Sequence, residues 1–120
     1  MKKILIVDDS KAMRMIVSRS LRQAGFGEST IIEASDGASA LEIIRAEQPD
    51  VVLSDWNMPN MLGIDLLRAV RAEGCKVKFG FVTSEVSEAT KQMAREAGAA
   101  FLLSKPFTAD DIKTAMKTIA

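Results

Sequence analysis

The sequence predicts a doubly wound α/β fold in which five helices cover a five-stranded parallel sheet. Short apolar segments, each too short for a helix, alternate with segments of helical spacing along the whole chain. The most apolar of them, residues 4–7 and 51–53, lack alternating polar residues. Such segments are typical of parallel strands buried on both faces. We predict strands that begin near Ile4, Thr30, Val51, Val77 and Ala100.

The first predicted helix covers residues 10–24. Its apolar residues recur at three- and four-residue steps and include Met13, Val17 and Leu21. This spacing places them on one face, which can cover the sheet. Gly25 follows and is suited to end the helix.

The remaining helices are predicted over residues 37–46, 62–73, 86–97 and 109–119. Gly74 and Gly98 stand just beyond two of them, where glycine commonly ends a helix. Thr108 and Asp111 form a plausible N-terminal cap for the last helix. The fourth strand is the weakest prediction, because Gly80 interrupts its apolar segment.

The composition excludes several kinds of chemistry. Cys75 is the only cysteine among 120 residues and histidine is absent, so intramolecular disulfides, Cys/His zinc sites and histidine general bases are ruled out. Lys+Arg and Asp+Glu number 16 each, and this balance gives no net field to attract nucleic acid. We therefore expect chemistry based on carboxylates, hydroxyls, lysine or a hard metal ion.

The chain shows no sign of membrane insertion or of a second domain. No segment approaches the ~18 consecutive apolar residues of a membrane span, and no cleavable signal pattern follows Met1. No linker-like segment interrupts the sequence. We expect a cytoplasmic protein with one domain over residues 1–120 and no separate output domain.

Polar residues that can take part in catalysis or metal binding lie where four of the predicted strands end. They are Asp8 and Asp9, Asp55, Thr83 and Ser84, and Lys105. Singly, each has an ordinary explanation, such as a helix cap at Asp9 or a turn at Asp55. Together they share one edge of the sheet, where open α/β sheets bind ligands. Crowded carboxylates repel one another, and oxygen ligands favour Mg²⁺, Mn²⁺ or Ca²⁺ over zinc.

An acidic metal site faced by a lysine and a hydroxyl is suited to a phosphoryl group. The metal and the ammonium neutralise the phosphoryl oxygens while a carboxylate attacks phosphorus. Asp55 is the expected nucleophile, with Asp8 and Asp9 on one side and Thr83 and Lys105 on the other. The predicted product is an aspartyl phosphate.

These residues resemble a known family. The motifs are VDDS at residues 7–10, SDWNMPNM at residues 54–61, VT at residues 82–83 and KPF at residues 105–107. With this spacing the chain resembles the receiver domains of two-component response regulators, in particular single-domain chemotaxis regulators of the CheY type. The resemblance covers the whole chain and implies the flavodoxin-like, or CheY-like, version of the predicted fold.

The resemblance implies a role for each residue of the site. Asp55 would accept phosphate from the phosphohistidine of a sensor histidine kinase. Mg²⁺, with Mn²⁺ as a substitute, would be bound by Asp9, Asp55 and the backbone carbonyl of Asn57, with Asp8 contributing through water. The phosphoryl contacts would come from the Thr83 hydroxyl, the Ser84 backbone amide and the Lys105 ammonium, beside a cis Lys105–Pro106 bond.

The resemblance also implies how the signal ends. Asn57 and Glu85 match the positions that tune attack by water on the phosphoryl group, which predicts a short-lived phosphorylated state. Trp56 follows the phosphoacceptor and is expected at the rim of the pocket. Leu62 stands where the chemotaxis regulators usually carry an acidic residue.

One position departs from the family in a way that bears on activation. The family carries an aromatic switch residue three positions before the lysine, and here that position is Leu102. The nearest aromatic, Phe101, should point to the opposite face of the strand. We still expect Thr83 and Leu102 to form the switch. The face predicted to shift comprises residues 86–97, 100–104 and 109–119.

The implied partners are a sensor histidine kinase and a downstream protein such as a flagellar-motor component. The expected oligomeric state is a monomer or a phosphorylation-dependent dimer. The protein is expected to modify only itself, so it is not an enzyme in the usual sense. Neither nucleic-acid binding nor membrane insertion is expected.

Three other functions are each compatible with part of this pattern. A Mg²⁺-dependent aspartyl phosphatase of the haloacid dehalogenase type needs a second aspartate at the position of Asn57. A flavodoxin-like FMN carrier would place its phosphate against Asp8 and Asp9, which repel it. A phosphate-independent pseudo-receiver is favoured only by Leu102, and the intact acidic set argues against it.

Overall fold

The computed structural model describes residues 2–118. Within them, the strands of the sheet are all parallel. The sheet has five strands in the order β2-β1-β3-β4-β5. The predicted fold class is therefore confirmed. The strands are β1 (Lys3–Val7), β2 (Thr30–Ala34), β3 (Val51–Ser54), β4 (Lys78–Thr83) and β5 (Phe101–Ser104).

Five α-helices connect or follow the strands: α1 (Lys11–Leu21), α2 (Gly37–Glu47), α3 (Gly63–Ala72), α4 (Glu88–Glu96) and α5 (Ala109–Lys117). The Thr108–Asp111 cap is confirmed, because the Asp111 amide donates to Thr108 Oγ1 at 3.1 Å and the Thr108 amide donates to Asp111 Oδ2 at 2.9 Å. The predicted end of this helix at Ile119 lies outside the described residues. Within residues 2–118, no helix has the length and hydropathy required to cross a bilayer.

Several helix boundaries differ from their predicted positions by one to three residues. Regular α1 ends at Leu21 and continues as a π-helical turn over Arg22–Phe26, in which Gly25 has φ 101°. Helix α4 begins at Glu88 rather than at residue 86, because the Ser87 side chain caps it by accepting from the Thr90 amide. Leu62 occupies the N-cap of α3 without a side-chain hydrogen bond.

The helices divide between the two faces of the sheet. Side chains of α1 and α5 pack with Ile4 and Ile6 on one face, and side chains of α2, α3 and α4 pack with Leu5 and Val7 on the other. Alternate residues of β1 therefore serve different cores, which explains why its sequence is continuously apolar. Ile4, Leu5, Ile6 and Val7 are at most 1% exposed.

Gly80 lies inside β4 without ending the strand. It pairs with Phe101 of β5, and a Cβ atom placed on Gly80 would overlap the Phe101 ring. The ring thus occupies the space that any larger residue at position 80 would need. The glycine that weakened the prediction of this strand is the residue that lets β4 and β5 pack.

Candidate metal centre

The acidic residues of the predicted site lie together at the carboxyl ends of β1 and β3. Asp8, Asp9 and Asp55 each offer a carboxylate oxygen, and these oxygens all lie within 4.8 Å of one another. Asp8 is 4% exposed, the Asp55 side chain is 13% exposed, and Asp9 is exposed. The cluster is therefore buried at its base and open to solvent at Asp9.

The strand order explains why these residues meet. After β1 the chain moves outward to β2, and it then returns to the other side of β1 to form β3. This reversal opens a crevice at the carboxyl ends of β1 and β3. The Asp55 amide donates to the Val7 carbonyl at 2.9 Å, and the Asp8 amide donates to the Ala34 carbonyl at 3.1 Å. Backbone hydrogen bonds that continue the pairing of the strands thus fix the positions of both aspartates, which directly follow the last residues of β1 and β3.

Lys105 joins two of the three carboxylates. Its Nζ lies 3.1 Å from Asp8 Oδ2 and 3.3 Å from Asp55 Oδ2, and its side chain is 17% exposed. The Lys105–Pro106 peptide bond is cis, as the resemblance implied. The ammonium offsets part of the carboxylate repulsion and faces the same opening as Asp55.

Thr83 is the last residue of β4, and Ser84 and Glu85 follow it, next to Lys105. The Lys105 amide donates to the Thr83 carbonyl at 3.0 Å. Thr83 is fully buried, and its Oγ1 accepts from the Glu85 amide at 3.1 Å. Ser84 is exposed. The Thr83 hydroxyl and the Ser84 backbone amide, which are predicted to contact a phosphoryl group, thus lie at the end of the strand next to β3.

A hydrogen bond links the two loops that border the opening. Asn57 Nδ2 donates to Glu85 Oε1 at 2.8 Å. Asn57 follows β3 and Glu85 follows β4, and both side chains are exposed. The sequence predicted a shared effect on hydrolysis for these residues, but it did not predict that they contact each other.

Trp56 differs from its expected position at the rim. Its side chain is 6% exposed and packs on Phe81 with ring centroids 4.9 Å apart. The Trp56 amide donates to Asp55 Oδ1 at 2.7 Å. The indole therefore lies in the core beneath the site, and its backbone orients the Asp55 carboxylate.

The alternation predicted for β5 is confirmed. Phe101 packs on the α1 and α5 side of the sheet, whereas Leu102 packs on the α4 side. The Leu102 side chain borders a cleft of about 250 Å³ between α4 and β5, with Ala94 and Ala99 also in its lining. Phe101 also lines the cleft, and position 102 contributes an aliphatic residue.

Arg14 of α1 is a residue of the site that was not predicted from the sequence. Its Nη1 donates to the Asp8 carbonyl at 2.6 Å, and its Nε donates to Glu33 Oε1 at 2.8 Å. The position of Arg14 within the helix could have indicated that it has a specific partner. Arg14, Val17 and Leu21 are spaced so that they share the inner face of the helix, and a charged residue on a buried face usually has a specific partner.

The donor set fits a hard divalent cation. Among the described residues, the cluster consists of carboxylates alone, with no cysteine or histidine ligand. Oxygen ligands with an open side suit Mg²⁺, which retains several of its waters when bound to proteins. Asp8, Asp9 and Asp55 are the side chains available to hold it.

Comparisons with known proteins agree with this site. The family model described as "Response regulator receiver domain" matches residues 4–117. The chain is 42% identical to chemotaxis protein CheY of Pseudomonas aeruginosa, covering 98% of this chain and 94% of that protein. It is 42% identical to chemotaxis protein CheY-3 of Vibrio cholerae, covering 98% and 90%. The structure of Vibrio cholerae CheY4 is similar with a TM-score of 0.89 and 34% identity, covering 100% and 99%.

Proposed function

Because this chain belongs to the response regulator receiver domain family, we propose that Asp55 accepts a phosphoryl group from a sensor histidine kinase. The chain is of the CheY type, consistent with two-component signalling and chemotaxis. Under this proposal it acts as a stand-alone response regulator with one receiver domain over residues 1–120. The reaction depends on Mg²⁺, and Mn²⁺ can replace it.

The observation that carries the proposal is the position of the Asp55 carboxylate. Asp55 Oδ1 accepts from the Trp56 amide, and Oδ2 lies beside the Lys105 ammonium. Both oxygens are therefore oriented before a phosphodonor arrives, which lowers the entropic cost of attack. The proposed Mg²⁺ ligands are Asp9, Asp55 and the Asn57 backbone carbonyl, with Asp8 contributing through water.

In the proposed transfer, an Asp55 oxygen forms a bond to phosphorus as the P–N bond of a phosphohistidine breaks. The leaving imidazole nitrogen keeps the electron pair and takes a proton from the solvent. Bound Mg²⁺ supplies charge neutralisation for the phosphoryl oxygens. The Lys105 ammonium, the Thr83 hydroxyl and the Ser84 amide stabilise the same oxygens by donating hydrogen bonds.

We assign the end of the signal to hydrolysis by this chain itself. Asn57 and Glu85 border the opening through which water reaches the phosphoryl group. The protein therefore modifies and resets only itself, and it is not an enzyme with a separate substrate.

The phosphoryl group is proposed to act on partners through Thr83 and Leu102. Thr83 is buried at the end of β4 and Leu102 faces α4, so a shift of Thr83 toward the phosphate is transmitted to α4, β5 and α5. The proposed partners are the kinase and a downstream protein such as a flagellar-motor component. The proposed setting is the cytoplasm, with a monomer or a phosphorylation-dependent dimer and no role for nucleic acid.

Intact-mass spectrometry tests the proposal directly. The protein is incubated with acetyl phosphate and Mg²⁺, alongside Asp55→Ala, a sample with chelator, and the matched control Asp65→Ala. Asp65 is an exposed aspartate on α3, so its replacement controls for the loss of a carboxylate. We expect a single phosphoryl adduct in the wild-type protein and in Asp65→Ala.

The adduct should be absent from Asp55→Ala and from the chelated sample. An adduct that survives Asp55→Ala would place the acceptor elsewhere. Absence of any adduct in the wild-type protein would favour the phosphate-independent interaction module. Transfer to water from many small phosphate esters, without a retained adduct, would favour the aspartyl phosphatase.

A further inference from the structure

Arg14 links the first turn of α1 to the acidic end of β1. Its side chain is only 14% exposed. Arginine is almost never this buried unless it has a specific partner. The guanidinium donates to the Asp8 carbonyl at 2.6 Å and to Glu33 Oε1 at 2.8 Å. Glu33 lies on β2 and is half exposed, with 48% of its side-chain surface accessible. Arg14 therefore bridges a helix, a strand end and the neighbouring strand.

The carbonyl that Arg14 contacts belongs to the Asp8–Asp9 peptide. The other polar atoms of Asp8 also have partners: its amide donates to Ala34, Oδ1 accepts from the Ser10 amide and Oδ2 accepts from Lys105. Arg14 completes this set and fixes the plane of the peptide that follows. That plane determines where the Asp9 side chain emerges.

Asp9 depends on this backbone more than its neighbours do. Over residues 2–118, the Asp9 carboxylate makes no hydrogen bond or ion pair, whereas Asp8 and Asp55 each contact Lys105. Its direction is therefore determined by its backbone and rotamer alone. Any freedom gained at the Asp8–Asp9 peptide would move the one carboxylate of the cluster that nothing else holds.

We propose that Arg14, held by Glu33, is a positioning residue that orients Asp9 and so sets the affinity of the site for Mg²⁺. The proposal rests on the metal site put forward above. Groups that orient metal ligands typically change metal affinity about 10- to 100-fold when they are removed. Arg14 would act entirely through the backbone, without touching the metal.

The sign of the effect separates positioning from electrostatics. Removing a positive charge near a cation site should strengthen Mg²⁺ binding, because repulsion between the two cations is lost. Loss of positioning should weaken it, because Asp9 no longer points into the cluster. A loss of fold stability alone would leave the affinity of the folded protein unchanged.

The experiment is a Mg²⁺ titration followed by ¹H–¹⁵N NMR, with the amides of Asp9, Asp55 and Trp56 as reporters. The same spectra show whether each variant is folded. The variants are Arg14→Gln, Glu33→Gln and the matched control Arg19→Gln. Arg19 is an exposed arginine on the same helix, so its replacement makes the same change in net charge.

We expect Arg14→Gln to raise the Kd for Mg²⁺ about tenfold or more, and Glu33→Gln to raise it less. Arg19→Gln should leave the Kd unchanged or slightly lower. An unchanged or lower Kd in folded Arg14→Gln would overturn the proposal. Should Arg14→Gln fail to fold, an unchanged Kd in Glu33→Gln would overturn it instead.

The wild-type titration distinguishes this inference from the proposed function. If the wild-type amides do not respond to Mg²⁺, the metal assignment fails and the role of Arg14 fails with it. If the wild-type protein binds Mg²⁺ and folded Arg14→Gln binds it equally well, only the role of Arg14 is wrong.

Discussion

The hydrogen bond between Asn57 and Glu85 joins two loops that would otherwise be independent at the mouth of the site. Glu85 accepts through Oε1, so the bond needs an acceptor oxygen at this position but not a negative charge. Glutamine keeps such an oxygen and alanine removes it. Two substitutions at one residue can therefore separate the effect of the bridge from the effect of the charge.

We predict that Glu85→Ala slows the decay of the phosphorylated protein roughly tenfold. This effect is smaller than the roughly 100-fold or greater rate loss expected when a general base is removed. The physical reason is that the bridge and the carboxylate order water near Asp55. The decay is measured by intact mass after acetyl phosphate is removed. Glu85→Gln should decay at close to the wild-type rate if the bridge matters most, and as slowly as Glu85→Ala if the charge does.

Equal decay rates in all three proteins would contradict a role for Glu85. A wild-type phosphoprotein that persists for hours in Mg²⁺ would contradict the short-lived signal itself.

At the scale of secondary-structure elements, the pairing of β4 with β5 depends on one close approach. Gly80 and Phe101 are register partners, and the ring fills the position of the missing Cβ. Inserting atoms into a packed site usually costs about 1 to 3 kcal/mol. The strand next to β3 is thus sensitive to a single methyl group.

We predict that Gly80→Ala lowers the free energy of unfolding by about 1 to 3 kcal/mol, measured by urea denaturation. Gly27→Ala is the matched control, because its Cβ meets nothing within 4 Å. It should be neutral or stabilising by up to ~1 kcal/mol. Adding Phe101→Leu to Gly80→Ala should recover part of the loss, since the two residues share one space. Additive effects would contradict the packing explanation.

The cleft between α4 and β5 bears on activation. Its volume is about 250 Å³, and both Phe101 and Leu102 border it. An aromatic side chain at position 102 would have space in the same cleft. The switch of this protein should therefore be a repacking of an aliphatic side chain.

We predict that beryllofluoride, a phosphoryl mimic, shifts the amide resonances of α4, β5 and α5 in the presence of Mg²⁺. The cause is movement of Thr83 toward the bound group and repacking of Leu102. Leu102→Tyr should remain folded and show larger changes in amide chemical shift, because the ring current of a moving aromatic side chain alters the resonances of nearby amides. Resonances of this face that stay fixed, while those at Asp55 move, would contradict coupling through Leu102.

At the scale of the whole molecule, the sheet keeps three carboxylates within 4.8 Å at some cost to stability. Like charges at this range destabilise the folded state, and Lys105 offsets the repulsion for Asp8 and Asp55 but makes no bond to Asp9. Asp9 is thus the carboxylate whose charge is least compensated. A bound cation should relieve this repulsion and stabilise the folded state.

We predict that saturating Mg²⁺ stabilises the fold by ~1 to 3 kcal/mol, since it binds only the native state. Thermal unfolding at matched ionic strength measures this as a rise of roughly 4 °C per kcal/mol. Asp9→Asn should melt higher than the wild-type protein without Mg²⁺ and should lose the response to Mg²⁺. A variant that is less stable without Mg²⁺, or still responds to it, would contradict this view of Asp9.

Much of this architecture could be predicted because the signals were local. The continuous apolar strands, the Thr108–Asp111 cap and the opposite facing of Phe101 and Leu102 follow from neighbouring residues. The strand order could not be predicted, since it depends on contacts between distant segments. The start of α4 was also wrong, because capping by Ser87 outweighs the apolar character of Val86.

The candidate site divides in the same way. Spaced motifs predicted which residues share the edge of the sheet, and the structure brings the acidic cluster and Lys105 together. The burial of Trp56 and the contacts of Arg14 with Asp8 depend on how α1 and α3 pack on the sheet. Nothing in the local spacing of these residues gives that packing.

The contact between Lys105 and Asp8 joins residues that are 97 positions apart in the chain. During synthesis, the three carboxylates of the cluster leave the ribosome long before the lysine that faces them, because chains emerge from the N-terminus. A nascent chain that ends before β5 would present an acidic cluster without its counter-charge. The order of translation therefore makes Lys105 the last of these charged groups to join the site, so a truncated product is left without it.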